Sequence, residues 1–218
     1  MDYILTILPS LLEGTKITVL VFFMTLVFSI PLGLPLALGS DSRIWPVRWL
    51  CRLYVFIFRG TPLMLQIFFI YFMLPIYFNI RLDALPAAII TFIMNYAAYL
   101  SEIYRGGIGS IERGQYEAAT CLGLSRAQTM FGIIIPQTVK RVLPAITNEM
   151  ITLVKDTALV SVIGVADLMK NSRGAVNRDS STIAFLIAAV IYLILNFVLT
   201  KYSYHLETRF SRHETRAD

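Results

Sequence analysis

The sequence predicts an all-α fold, an integral membrane bundle of helices. Its 218 residues have a mean hydropathy of +0.67, and 15% of them are charged. Soluble domains typically carry about 25% charged residues, so the composition indicates a membrane protein. Crossing the hydrocarbon core takes about 20 apolar residues as a helix. Five runs approach or exceed that length, which predicts five transmembrane helices.

The predicted spans are 17–38, 53–80, 84–100, 142–166 and 183–200. The first and the last contain no charged residue, whereas the second contains Arg59. The third leads directly into Glu102, at its cytoplasmic end. The fourth is the least apolar, because Glu149 and the pair Lys155 and Asp156 interrupt it.

The distribution of lysine and arginine predicts the orientation, because cytoplasmic loops carry an excess of both. Five spans place the two termini on opposite sides of the membrane. With the N-terminus outside, the inner loops and tail hold about twice as many of these residues as the outer loops. The net charge of +5 is therefore assigned to cytoplasmic loops, and no nucleic-acid partner is expected.

The stretch EAATCLGLSRAQTMFGIIIP (117–136) is a polar interruption in the longest connection, 101–141. It predicts two short helices at the cytoplasmic surface. Gly123 offers a helix stop, and Ser125 followed by Gln128 matches a capping box for a second helix. Such a helix pair either caps the bundle or docks into a groove of a soluble partner.

This stretch resembles the EAA loop of ABC importer permeases, whose pattern is Glu-Ala-Ala, three residues, Gly, about nine residues and Ile-x-Leu-Pro. Ile135 stands where that pattern has Leu. The matching residues are Glu117, Ala118, Ala119, Gly123, Ile133, Ile135 and Pro136. Three further segments resemble the polar amino-acid branch of the family: FRGTPLMLQIFFIYF (58–72), NYAAYLSEIYRGGIGSI (95–111) and LVKDTALVSVIGVADLM (153–169).

The resemblance covers about 11–206 and implies the type I ABC importer permease fold with five transmembrane helices. It implies a permease domain over 11–206, with cytoplasmic coupling helices at about 112–132, and a cytoplasmic tail over 207–218. The implied location is the bacterial cytoplasmic (inner) membrane, with the N-terminus outside and the C-terminus in the cytoplasm. The implied ATPase-coupling residues are Glu117, Ala118, Ala119, Gly123, Leu124 and Ser125.

The implied function is a permease subunit of an ATP-driven importer for polar amino acids. Its implied partners are two ABC ATPase subunits, a second permease copy or paralogue, and an extracytoplasmic solute-binding protein, either soluble or lipid-anchored. Closure of the ATPases would draw two coupling helices together and switch the spans from inward-facing to outward-facing. The sequence has no GxxxxGK[ST] phosphate-binding loop, so ATP and Mg are expected on the ATPase. No catalytic residue, cofactor or metal site is expected in this chain.

Polar residues inside the predicted spans are candidates for substrate binding, because such residues are costly in a bilayer. The run 59–62 reads as a helix break, where Thr61 caps and Pro62 begins a new helix whose free N–H groups face a substrate carboxylate. The alternative is a kink used only for packing. Asn95 lies near the middle of the third span and is the expected ligand contact by depth, with Tyr99 one turn later.

The two carboxylates of the fourth span have two interpretations each. Buried Glu149 needs a cation, which is either a substrate ammonium or Arg59. Asp156 either faces the same cavity or is neutralised by Lys155. Glu102 is expected to pair with the arginine three residues later. The full set of candidate substrate-binding residues is Gly60, Thr61, Pro62, Asn95, Tyr99, Glu149, Asp156, Thr157 and Ser161.

Two other functional classes fit the sequence less well. A secondary transporter driven by an ion gradient would leave the EAA-like stretch unexplained, and no inverted repeat is visible. A membrane-embedded enzyme would need a motif such as HExxH or GxSxG, and neither occurs. The residues choose no particular amino acid among basic, acidic, amide and sulfur-containing ones, although the acidic groups favour a cationic substrate.

Overall fold

The computed structural model describes the backbone of residues 2–211 and the side chains of residues 3–208. Within this range the chain consists of helices and connecting turns, which confirms the all-α prediction. The helices are α1 (Asp2–Ser40), α2 (Trp45–Gly60), α3 (Leu63–Phe68), α4 (Leu74–Phe78), α5 (Ala84–Gly109), α6 (Arg113–Cys121), α7 (Arg126–Thr129), α8 (Ile135–Asp156), α9 (Leu168–Asp179) and α10 (Ile183–Ser211). Most of the predicted cytoplasmic tail, 212–218, lies outside the described residues.

Three described helices, α1, α5 and α10, are long and apolar enough to cross a membrane. Two helical arms, α2 and the run Leu63–Phe78, qualify as a fourth span if the bent pair is taken as one. The run Leu63–Phe78 is continuous, because a π-helical turn, Phe69–Met73, joins α3 to α4. The structure therefore describes a multi-pass helical bundle with three or four spans by length and composition.

The fourth predicted span, 142–166, differs most from expectation. The structure places its residues in the second half of α8 and in a 3₁₀ helix, Thr157–Ile163, that follows directly. α8 begins at Ile135, so its first turns hold Lys140 and Arg141, which lower its hydropathy. Together with Glu149, Lys155 and Asp156, these two charges are the physical reason why α8 does not qualify as one apolar span.

The second predicted span contains the expected break, but the break is sharper than a kink. α2 ends at Gly60, the next helix begins at Leu63, and the chain bends by 108° between the two arms. Pro62 has no N–H and its ring excludes the preceding turn of a continuous helix, so the α-helical ladder stops here. The bend turns the second arm back across α5.

The main apolar core lies where α1, α3, α5, α8 and the 3₁₀ helix meet. Its fully buried members are Val21, Ile67, Ala88, Phe92, Leu153 and Val160. A second, smaller core packs α9 between the start of α1 and the start of α10; its buried members are Ile7, Leu11, Leu168, Ala175, Ala184 and Ala188. In α10 only 11% of the apolar window is buried, which is the exposure expected of a helix that faces lipid.

Candidate functional site

Helices α6 and α7 form the helix–turn–helix that the polar stretch predicts. Ser125 Oγ accepts a hydrogen bond from the Gln128 amide at 3.3 Å, and Gln128 Oε1 accepts one from the Ser125 amide at 2.8 Å. This reciprocal pair is the predicted capping box, and it begins α7. Gly123 has a φ of +71°, and its amide donates to Thr120 O, so the predicted helix stop is also confirmed.

The exposure of the residues of α6 differs from one to the next. α6 begins at Arg113, so Glu117 lies in the middle of the helix. Glu117 and Ala118 are exposed, whereas Ala119 is fully buried and anchors the helix. Leu122, which was not a candidate, is 76% exposed at the end of α6.

A cavity of about 350 Å³ lies between the α6–α7 segment (113–129) and the turn that follows α1. Its lining residues are Arg43, Tyr116, Thr120, Leu124, Arg126, Thr129 and Met130. Partial burial raises the pKa of Tyr116 above its usual value. The two arginines make this cavity basic.

At the bend, the structure places Gly60, Thr61 and Pro62 on the exposed side. The expectation that Thr61 caps the new helix is wrong, because Pro62 holds the N-cap position of α3. Thr61 instead turns back, and its hydroxyl donates to Ile57 O in α2 at 2.8 Å. The extended backbone of Thr61, with φ −120° and ψ 146°, directs its side chain toward the helix it ends.

Asn95 is buried inside the elbow between α2 and α3. Its side-chain amide donates to Phe58 O and to Gln66 Oε1, both at 3.0 Å. Gln66 was not a candidate from the sequence. The available signal was that it is the one amide side chain in the apolar stretch 63–78. The structure therefore separates Asn95 from Tyr99, which is half-buried one turn further along α5.

Four side chains of α5 and α8 form a tyrosine–carboxylate cluster: Tyr96, Tyr99, Glu149 and Asp156. Tyr96 OH donates to Asp156 Oδ2 at 2.8 Å, and the two tyrosine rings lie 6.4 Å apart. Glu149 interacts electrostatically with Asp156, which repels it, and with Arg59, which attracts it. The guanidinium of Arg59 lies 5.3 Å from the ring centre of Tyr99. Tyr96, a member of the cluster, and Arg59, at its edge, are absent from the sequence candidates.

The ion pairs show which charged side chains near the tyrosine–carboxylate cluster already have a partner of opposite charge. Arg105 binds Glu102 at 2.7 Å, which confirms the predicted pair. Arg59 also pairs with Glu102, at 3.5 Å, and not with Glu149. In the part of the chain that the structure describes, Glu149 has no hydrogen bond or ion pair.

The remaining charged and hydroxyl candidates have local partners or point away. Lys155 is exposed, while the bonded partner of Asp156 is a tyrosine. Thr157 and Ser161 are buried, and their hydroxyls donate to Val154 O and Ala158 O, each at 2.7 Å. The two hydroxyls therefore satisfy carbonyls at the junction of α8 and the 3₁₀ helix.

Comparison with known proteins identifies the kind of molecule. Residues 29–212 match the family described as the binding-protein-dependent transport system inner membrane component. The chain belongs to this family. Its matched region runs from the second half of α1 past the end of α10, so it includes the α6–α7 segment, the elbow and the tyrosine–carboxylate cluster.

Two relatives of this permease come from Bacillus subtilis strain 168. It is 38% identical over 207 residues to an L-cystine transport system permease protein, covering 94% of this chain and 88% of the relative. It is 39% identical over 206 residues to an arginine transport system permease protein, covering 92% and 93%. The crystal structure of an amino acid ABC transporter with histidines is 33% identical with a TM-score of 0.88, covering 94% of this permease and 96% of that chain.

These matches confirm the family that the EAA-like stretch indicated. The chain is an ABC transporter permease and a multi-pass protein of the inner membrane. The segment α6–α7 occupies the position of the stretch on which the resemblance was based, and the tyrosine–carboxylate cluster lies between α5 and α8.

Proposed function

We propose that this permease is the transmembrane subunit of an ATP-driven importer of polar amino acids. A solute-binding protein outside delivers the substrate, and two cytoplasmic ATPases drive alternating access. The observation that best supports this proposal is the α6–α7 segment, a capped helix pair that exposes Glu117 and Leu122 in a largely apolar chain. The ATPases hold ATP and Mg, and this permease contributes neither a cofactor nor a metal site.

The exposed surface of α6–α7 suits a partner with one apolar pocket and acidic groups. Leu122 would enter the apolar pocket, and the basic cavity beside it, bordered by Arg43 and Arg126, would accept a carboxylate. The capping box and the buried Ala119 keep the segment rigid, so a displacement of the partner would be transmitted to α5 and α8 on either side.

The proposed topology has five crossings with the N-terminus outside and the C-terminus in the cytoplasm. Thr147 in α8 donates to Glu207 in α10 at 2.6 Å, so both residues lie at one level. Glu207 is about 36 Å along α10 from Ile183, which exceeds the hydrocarbon thickness of about 30 Å. Thr147 is therefore assigned to the inner surface.

The remainder of the crossing that contains Thr147 follows from helix lengths. From Thr147, the remainder of α8 rises about 14 Å, and the 3₁₀ helix adds about 14 Å. The sum is close to the thickness of the hydrocarbon core. The crossing that hydropathy alone does not register is thus the second half of α8 together with Thr157–Ile163, and the first half of α8 belongs to the cytoplasmic side.

The tyrosine–carboxylate cluster is the proposed substrate contact. Glu149 is a half-buried carboxylate without a hydrogen bond or ion pair in the described chain, so a substrate ammonium is the cation that matches it. Asp156 adds negative charge, and Arg59 stands at the edge of the cluster where a substrate carboxylate could bind. A zwitterionic amino acid fits this arrangement of charges.

The proposal divides the sequence candidates by their neighbours. Tyr99, Glu149 and Asp156 contact substrate, and Gly60 borders the same region beside a cavity of about 340 Å³ shared with Arg59. The others hold the helices that present these groups; they are Thr61, Pro62, Asn95, Thr157 and Ser161. A second permease copy or a paralogue would cover the open side of the cluster.

The experiment that tests this function is affinity purification of the tagged permease from mildly solubilised native membranes, followed by mass spectrometry. An ABC ATPase that co-purifies in a stoichiometric amount is the expected result. A related permease in the same sample indicates a heterodimer, and its absence indicates two copies of this chain. Recovery without any ATPase would remove the proposal and favour a carrier driven by an ion gradient.

A further inference from the structure

The break between α2 and α3 removes hydrogen-bond donors that a continuous helix would supply. In such a helix Phe58 O would accept from residue 62, but Pro62 has no N–H. Thr61 O would accept from Leu65, whose amide instead donates to Pro62 O at 3.0 Å. Inside a bilayer no water can replace these donors, so each unpaired carbonyl is costly. The broken helix therefore needs donors from elsewhere.

Two buried amide side chains supply these donors. Gln66 Nε2 donates to Phe58 O at 2.9 Å and to Thr61 O at 3.0 Å. Asn95 Nδ2 donates to Phe58 O at 3.0 Å and to Gln66 Oε1 at the same distance. Gln66 is 8% exposed and Asn95 is 4% exposed. We call these two side chains and the carbonyls they bind the elbow clamp.

The elbow clamp joins three helices at one point, because Phe58 belongs to α2, Gln66 to α3 and Asn95 to α5. One turn earlier in α2, Tyr54 OH donates to Met94 O at 2.7 Å, so α2 and α5 are also joined beside the clamp. The clamp bonds involve carbonyls of the broken ladder, whereas the Tyr54 bond does not. The Tyr54 hydrogen bond therefore joins the same two helices, α2 and α5, without involving the break.

The clamp also determines where Arg59 points. Arg59 directly follows Phe58, whose carbonyl receives both clamp donors. Its guanidinium reaches Glu102 at 3.5 Å and lies over the ring of Tyr99, so both of its contacts are on α5. A loosened Phe58 would release the last residues of α2 from α5, and Arg59 with them.

We propose that Gln66 and Asn95 are positioning residues that lock the elbow and hold Arg59 at the edge of the tyrosine–carboxylate cluster. In transport the two arms of the elbow and α5 move as one body, and the break is a fixed joint. The role of Arg59 toward substrate rests on the proposed function; the rigidity of the elbow does not.

The rigidity is measured as a distance between spin labels at Val47 and Tyr77, exposed residues on opposite arms of the elbow. The labels are attached to cysteines after Cys51→Ser and Cys121→Ser, in the complete transporter in nanodiscs. We expect one narrow distance distribution that is the same without nucleotide and with trapped ATP. If the distance differs between the two states, the proposal of a fixed joint is wrong. This result requires no substitution of the clamp residues.

Three substitutions test the clamp residues themselves. Gln66→Met and Asn95→Leu remove the donors at similar volume, and Tyr54→Phe is the control that removes one hydrogen bond between α2 and α5. We expect a broader distribution for the first two variants and an unchanged one for the control. Unchanged distributions in both clamp variants would overturn the proposal.

Uptake separates the positioning role from a general structural role. The probe is whichever of radiolabelled arginine, glutamine or cystine the unmodified transporter accumulates in proteoliposomes. We expect both clamp variants to raise KM by about tenfold while the control does not. A broadened distance distribution with an unchanged KM contradicts the positioning of Arg59. An unmodified transporter that accumulates no amino acid contradicts the proposed function. In that case the distance measurement alone tests the clamp.

Discussion

Glu149 carries the substrate chemistry of the proposed function at the scale of single residues. Its carboxylate is half-buried, repelled by Asp156 and attracted by Arg59, which is already bound to Glu102. An ionised group in this setting favours an added cation, because the cation relieves the repulsion and the desolvation together.

The first prediction concerns this carboxylate. Glu149→Gln keeps the shape of the side chain but removes its charge. A hydrogen bond to a charged group contributes about 1.5–3 kcal/mol, so we expect kcat/KM of uptake to fall by about tenfold to hundredfold. The measurement is initial uptake of radiolabelled amino acid in proteoliposomes. Glu13→Gln is the control, because Glu13 is exposed and pairs only with Lys16 on the surface.

Residue types and depth along a helix predicted some site residues but not the way they face. The sequence predicted the pair of Glu102 with Arg105, because both lie one turn apart on one helix. It placed Asn95 near the membrane centre, and the structure adds that its amide is bound in the elbow. The missing information was the rotation of α5 relative to α2, which long-range packing decides.

At the scale of elements, the α6–α7 segment depends on a local cap. The second prediction is that Ser125→Ala loosens α7, because the variant loses the acceptor for the Gln128 amide. Loss of such a cap costs about 1 kcal/mol, so the amides of α7 should exchange hydrogen about fivefold faster. Amides of α5 in the same variant are the internal control, and an unchanged rate in α7 would contradict the capping role.

The third prediction concerns the contact of α5 with α8. A Cβ at Gly107 would collide with Val142 Cγ1 and approach Thr138 Cγ2 at 2.9 Å, whereas one at Gly106 would meet nothing within 4 Å. We expect Gly107→Ala to destabilise the permease by about 1–3 kcal/mol through overpacking. Gly106→Ala is the matched control. Thermal unfolding in detergent checks both, and equal midpoints would contradict the close packing.

Local sequence signals predicted an element well where the residues that give the signal also form the structure. Gly123 and the Ser125–Gln128 pair specify the turn and the cap between α6 and α7, and both occur as predicted. The angle of 108° at Pro62 was not predictable, because a proline ends a hydrogen-bond ladder without setting the direction of the next helix. In the proposed elbow clamp, the hydrogen bonds of Gln66 and Asn95 hold that direction.

At the scale of the whole molecule, hydropathy identified the three most apolar helices but not the proposed crossing that carries charge. α1, α5 and α10 each contain a long apolar window, so their composition reveals them. The second half of α8 holds Glu149 and Asp156, which raise its polarity where the proposed pathway needs charge. The proposed span that holds the functional carboxylates is therefore the one that composition detects least well.

The fourth prediction tests the proposed topology. Single cysteines are introduced as Thr182→Cys, on the proposed outer side, and Ala127→Cys, in α7 on the proposed inner side, after Cys51→Ser and Cys121→Ser. In intact spheroplasts a membrane-impermeant maleimide should label only the first, and permeabilisation should expose the second. Labelling of Ala127→Cys before permeabilisation would reverse the proposed orientation.

ATP-driven uptake in a reconstituted system tests the central proposal most directly. Proteoliposomes contain the permease with the ATPase that co-purifies with it, ATP inside and substrate-loaded binding protein outside. We predict accumulation of a polar amino acid that requires ATP, and its loss in Glu117→Arg, which still inserts into the membrane. Accumulation that proceeds without ATP, or that Glu117→Arg supports at the full rate, would contradict coupling through the α6–α7 segment.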